Sequence, residues 1–91
     1  MNFASNIKNI KKLIAILSGK ESDVNITYKG LNFGVTKPWN IRCDSREINH
    51  ETHDGAAEEF FLILKKELKE KISFTERQAA EYKKTLGTLE N

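Results

Sequence analysis

Apolar side chains occupy every second position on both sides of the dipeptide Lys29-Gly30: Val24, Ile26 and Tyr28 before it, Leu31, Phe33 and Val35 after it. A period of two belongs to an extended strand that buries one face. A two-residue turn at Lys29-Gly30 sets Tyr28 opposite Leu31, Ile26 opposite Phe33 and Val24 opposite Val35, so that all six side chains share one face of a hairpin. Lys-Gly lacks the Asn or Asp that a type I′ turn prefers, and Gly34 inside the second strand marks a bulge or a close backbone approach. Beyond Lys37-Pro38, Trp39, Ile41 and Cys43 alternate with Asn40, Arg42 and Asp44. Pro38 suits a strand start, where a missing donor is tolerated. The expected sheet is a three-stranded antiparallel meander with strands near 24–28, 31–36 and 39–43, greasy on one face and polar on the other. Residues 44–54, DSREINHETHD, are polar except for Ile48 and read as a loop or a frayed strand extension.

Helical periodicity flanks this segment. Phe3, Ile7, Ile10, Ile14 and Leu17 fall at alternating four- and three-residue spacings, widened by Leu13 and Ile16, which predicts a helix near 2–18 packed on a sheet. Asn6, Lys8, Asn9 and Lys12 are expected mostly off that stripe, and Gly19 is placed to cap the C-terminus. A second helix, near 55–71, starts from Asp54 as N-cap and buries Ala57, Phe60, Phe61, Leu64, Leu68 and Ile72. Leu62 and Ile63 complete an apolar collar around one of its turns. A third helix, near 76–88, opens on the capping box Thr75-x-x-Gln78 with Phe74 stapled against Ala79, and carries the thin stripe Ala79, Tyr82, Leu86, Leu89. The fold class is a small single α+β domain, ordered α-β-β-β-α-α over residues 1–91, with the helices on one face of the sheet.

Ninety-one residues hold one modest core and hardly a deep cleft walled by two domains. The lone Cys43 forms no internal disulfide, and no stretch approaches the roughly 20 apolar residues that span a bilayer. Lysines interrupt the apolar residues of the N-terminus, unlike a signal peptide, so the expected location is cytoplasmic. The net charge of +2 is uneven: residues 1–20 carry Lys8, Lys11, Lys12 and Lys20 without an acid, residues 21–54 carry four bases and six acids, and residues 55–91 balance. The basic end favours an anionic partner, although dedicated nucleic-acid binders carry a denser patch.

No motif for catalysis or a cofactor stands out. His50-x-x-His53 near Cys43, Asp44, Glu47 and Asp54 matches no standard zinc spacing and offers a single thiolate. Cys43 as a nucleophile served by either histidine would share a face with Trp39 and Ile41, which favours burial, and its acidic neighbours raise its pKa. No glycine loop cradles phosphate and no carboxylate pair faces an evident cleft. An enzyme, a metal and a cofactor are therefore not expected.

Function must then reside on a surface. The order helix, three-stranded meander, helix, with Ala56-Ala57 opening an apolar second helix, resembles the double-stranded-RNA-binding domain over about residues 2–72. That resemblance implies a nucleic-acid partner; a binder of that class would use the first helix and the polar sheet face, with Lys8, Lys12, Lys29, Lys37 and Arg42 as phosphate contacts. The family's lysine cluster at the start of its second helix is replaced here by His53, Asp54, Gly55, Ala56, Ala57, Glu58 and Glu59, an acidic stretch. The small size and the Lys-, Asn- and Ile-rich composition also resemble the inhibitor or host-takeover proteins of bacteriophages and mobile elements, anti-CRISPR proteins included. That style implies a non-enzymatic module that docks on a larger protein and occludes one of its sites. The contact residues expected for it are Asn40 and Arg42 on the polar sheet face and Arg46, Glu47, His50 and Glu51 in the 44–54 segment. The open sheet edges and the apolar collar are also compatible with a homodimer.

Overall fold

The computed structural model describes residues 2–30, 34–74 and 79–89. The elements run α1 (Phe3–Ser18), β1 (Val24–Tyr28), β2 (Trp39–Cys43), β3 (Arg46–His50), α2 (His53–Phe74) and α3 (Ala79–Gly87). This is the α-β-β-β-α-α order expected of the chain.

α1 begins where Asn2, in extended conformation, accepts the Ser5 N–H on Oδ1 at 2.7 Å, and it ends at Gly19 with φ 77°, a left-handed cap that a side chain would strain. Its buried face is Asn6, Asn9, Ile10, Leu13 and Ile14, the i, i+3, i+4, i+7, i+8 pattern of a wide stripe. Asn6 and Asn9 thus lie inside the stripe and not off it. The helix packs on the sheet on one side and on α2 on the other, so the arc it covers is wider than the apolar residues alone indicate.

The sheet keeps its three antiparallel strands but not the predicted partners. Val24, Ile26 and Tyr28 face Cys43, Ile41 and Trp39 of β2, in place of Val35, Phe33 and Leu31. Of the strand expected at 31–36, residues 31–33 lie outside the described residues, and Gly34, Val35 and Thr36 are not extended in a ladder. Gly34 takes φ 90°, which ends an extended run. The third strand comes from the segment read as a loop: Asp44-Ser45 forms a two-residue turn with Asp44 at φ 58°, and Arg46–His50 returns along β2. Asp tolerates the left-handed region better than most residues, which makes Asp44 a workable hairpin corner.

α2 is capped two residues earlier than Asp54. The Gly55 N–H donates to Thr52 Oγ1 at 3.0 Å, and the Ala56 N–H to the Thr52 carbonyl at 3.0 Å. Asp54 sits in the first turn, where a carboxylate meets the positive end of the helix dipole. The core joins Ile10, Leu13 and Ile14 of α1, Ile41 and Cys43 of β2, and Ala56, Ala57, Phe60, Phe61, Leu64 and Leu68 of α2. Tyr82, Leu86 and Leu89 pack on it from α3 and the turn beyond, as the thin stripe predicts, and Lys12 Nζ donates to the Thr88 carbonyl at 2.7 Å. The Thr75–Gln78 capping box falls outside the described residues. No helix among the described residues is long and apolar enough to cross a membrane.

Candidate functional site

α1 and α2 cover one face of the sheet and leave the other open among the described residues. Strand alternation puts Asn25 and Thr27 of β1, Asn40 and Arg42 of β2, and Glu47 and Asn49 of β3 on that open face. All are exposed except Asn40, which is 6% exposed at the centre. Asn40 Nδ2 donates to Glu47 Oε2 and to Asn49 Oδ1, both at 3.1 Å, and approaches the Ile48 carbonyl at 3.5 Å. One amide thereby locks two side chains of the neighbouring strand into a flat, hydrogen-bonded surface. Arg42 stands beside it, opposite Asn25 on one strand and Glu47 on the other. The face carries one cation, one carboxylate, three amides and a hydroxyl, so its net charge is zero.

The residues expected to make contacts divide between the two faces. Asn40, Arg42 and Glu47 share the open one, with Asn40 as the organiser beneath its neighbours. Glu51 is exposed just beyond β3. Arg46 and His50 point to the helix side. Arg46 grips Glu67 of α2 through Nε at 3.2 Å and Nη2 at 3.0 Å, with Asp44 at 3.8 Å from Nη1. The Glu67 hydrogen bonds push the Arg46 pKa still higher, which keeps this staple charged. The His50 ring lies over Gly55, where an added Cβ would collide with it. His50 Nδ1 accepts the Thr52 N–H at 3.0 Å, which places the neutral ring's proton on Nε2, 3.5 Å from Glu59 Oε2.

His53 serves a different cluster. Its ring stacks on Phe3 at 4.2 Å and meets Trp39 edge-on at 5.1 Å, while Nδ1 lies 2.9 Å from Asp54 Oδ1. Trp39 continues the row to Tyr28 at 5.1 Å, and Tyr28 is 49% exposed. This row ties the starts of both long helices to the sheet end from which the 29–38 connection leaves. Trp39, half-buried between Tyr28 and His53, is a structural wedge.

Cys43 lies at the opposite end of β2. Four residues along a strand separate it from Trp39 by about 13 Å, so neither histidine cluster reaches it. Its Sγ approaches the Ser22 carbonyl at 3.8 Å. Burial, and then the charges of Asp44 and Asp23, push its pKa up. Among the described residues no group of three or more His, Cys, Asp or Glu could hold a metal ion.

The candidate phosphate contacts do not converge. Lys8 and Lys12 belong to α1, on the covered side of the sheet, and Lys12 already serves Thr88. Arg42 is on the open face, and Lys29 and Lys37 flank the 29–38 connection, joined by a bond from the Lys29 N–H to the Pro38 carbonyl at 2.6 Å. Comparison with protein-family models, with curated proteins and with solved structures gives no match to this chain.

Proposed function

We propose that this chain is a small non-enzymatic module that docks on a larger protein through the open face of its sheet and occludes the site it covers. The observation that supports this is the composition of that face: one central Arg42, a fixed Glu47, and amides held in place by Asn40. A flat, neutral, hydrogen-bonding surface suits a polypeptide partner, whose backbone and side chains offer both donors and acceptors. Binding of a phosphate backbone calls for several cations along one track, and here they are spread over both sides of the sheet. Arg42 is the expected energetic centre, because arginine, with tryptophan and tyrosine, is among the residue types enriched where truncation costs most.

The test is capture of partners by the tagged chain, run in parallel with Arg42→Glu and with Lys8→Glu. Loss of a captured protein with Arg42→Glu and its retention with Lys8→Glu is the expected result. Retention of every partner by Arg42→Glu removes this face from consideration. A gel shift of duplex or single-stranded nucleic acid at low salt, weakening steeply as salt rises, replaces the reading with a nucleic-acid one.

A further inference from the structure

β3 is an edge strand: among the described residues it pairs with β2 alone. The phase of its free hydrogen-bonding groups is fixed by the ladder. The Lys29 N–H to Pro38 carbonyl bond makes Lys29/Pro38 a hydrogen-bonded pair, and alternation extends this to Thr27/Asn40 and Asn25/Arg42. Asn40 and Arg42 therefore turn their backbone groups toward β1, while Trp39, Ile41 and Cys43 turn theirs toward His50, Ile48 and Arg46. Glu47 and Asn49 are left with N–H and C=O directed outward from the edge.

Beneath this edge, between β3 and α2, runs a hollow of about 390 Å³ lined on its apolar side by Ile48, Phe60, Ile63 and Leu64. Ile63 is 45% exposed there. The hollow beside the approach to β1 is instead lined by Lys11, Lys12, Glu21 and Asp23, charges of the kind that discourage edge pairing.

We propose that the occupant of the β3 edge is a second copy of this chain, joined antiparallel about a two-fold axis at Ile48 to give a continuous six-stranded sheet. The register is self-complementary. An axis at Ile48 sets Glu47 opposite Asn49 of the second copy, the two residues with outward backbone groups, and each such pair closes two hydrogen bonds. On the open face, Asn49 Oδ1 is taken by Asn40, which leaves Asn49 Nδ2 to donate to the facing Glu47. On the helix side Ile48 meets its own copy, and Arg46 faces His50 with Glu67 and Glu59 already beside them, so no unbalanced like charges meet. The helices fit as well. α2 lies over both β2 and β3, and a strand spacing of about 4.8 Å puts the two α2 axes about 10 Å apart, a helix-packing distance that the two Ile63 side chains can fill. A net charge of only +2 opposes association weakly.

Sedimentation equilibrium of the full chain, from micromolar to millimolar concentration, tests this. Twice the 10.4 kDa chain mass is expected, with the dissociation constant raised roughly tenfold or more by Ile63→Lys, a change at an exposed site that leaves far-UV circular dichroism intact. Asn49→Pro, which removes an outward N–H from an edge strand, gives the same loss by an independent route. Ile48→Cys reports the register, because it forms a disulfide-linked dimer under mild oxidation and Thr27→Cys does not. A monomer throughout the range, a dimer indifferent to both Ile63→Lys and Asn49→Pro, or cross-linking at Thr27→Cys in place of Ile48→Cys overturns the proposal.

Discussion

Asn6 opens the buried face of α1 at its N-terminal end, 3% exposed, and among the described residues its Oδ1 has no hydrogen-bond partner. Replacing it with Leu removes that acceptor from the interior. Leaving a buried polar atom unpaired costs about 1–3 kcal/mol, so that penalty is lifted. Leucine also has the higher helix propensity, by about 0.5 kcal/mol. Against this, a branched side chain in a site shaped for a planar amide costs about 1 kcal/mol or more in strain. The net expectation is a stabilisation of about 1 kcal/mol, which on a domain of this size raises Tm by about 4–8 °C. The assay is urea unfolding followed at 222 nm, with the slope compared between variants so that a change in midpoint reports stability alone. Asn9→Leu is the internal control. Asn9 is buried as deeply but is engaged with a partner, so the same substitution there lowers the midpoint. If Asn6→Leu is destabilising at unchanged slope, the carbonyl is satisfied in solution and the buried face of α1 has been misassigned.

Two further perturbations follow from the β3–α2 junction and from the core. Gly55→Ala improves helix propensity by up to about 1 kcal/mol, yet the added Cβ overlaps the His50 ring and Thr52 Oγ1 and so displaces the cap and the His50–Glu59 contact. A fall in Tm, with the His50 ring resonances shifted, is expected; a rise in Tm means the ring does not occupy that position. Cys43, buried and with its pKa raised, is expected to react with a disulfide reagent at pH 8 only as fast as the chain unfolds. Because the folded thiol holds its proton more tightly than the unfolded one, this group's contribution to stability is complete below the unfolded thiol's ordinary pKa. It is lost as pH rises toward the raised folded value. Rapid labelling of native protein, or stability rising across that alkaline window in a comparison of wild type with Cys43→Ala, contradicts the burial.

Both long helices and the first strand were legible because each carries a periodic stripe long enough to average over exceptions. The partner of the first strand was not. Two apolar alternations, 31–35 and 39–43, compete for Val24-Ile26-Tyr28, and local pattern cannot rank them. Position and turn chemistry can: Gly34 departs from the extended region, while Asp44-Ser45 supplies a tight corner after Cys43. β3 was hidden for another reason. Its inward positions are Arg46, Ile48 and His50, two of them polar, and the alternation is visible only once Glu67 and Glu59 are known to receive those side chains. The helix cap slipped from Asp54 to Thr52 because both residues accept backbone donors, and the choice depends on where β3 ends.

The grouping of the proposed contact residues was half legible for the same reason. Asn40, Arg42 and Glu47 belong to one face only if 46–50 is a strand, whereas a loop would have put Arg46, Glu47, His50 and Glu51 together at a tip. Pairing β3 with β2 sorts them: odd-numbered Glu47 joins the open face, and even-numbered Arg46 and His50 turn under it to fasten α2. The sheet then acts as a partition. Lys8 and Lys12 end on α1, Lys29 and Lys37 at the 29–38 connection, and Arg42 on the open face of the sheet, so they share no single track. The face that remains has no net charge and no mobile centre, because Asn40 holds Glu47 and Asn49 before any partner arrives. Preorganisation of that kind lowers the entropy lost on docking, and it makes Asn40→Ala a harsher test of binding than truncation of either residue it holds.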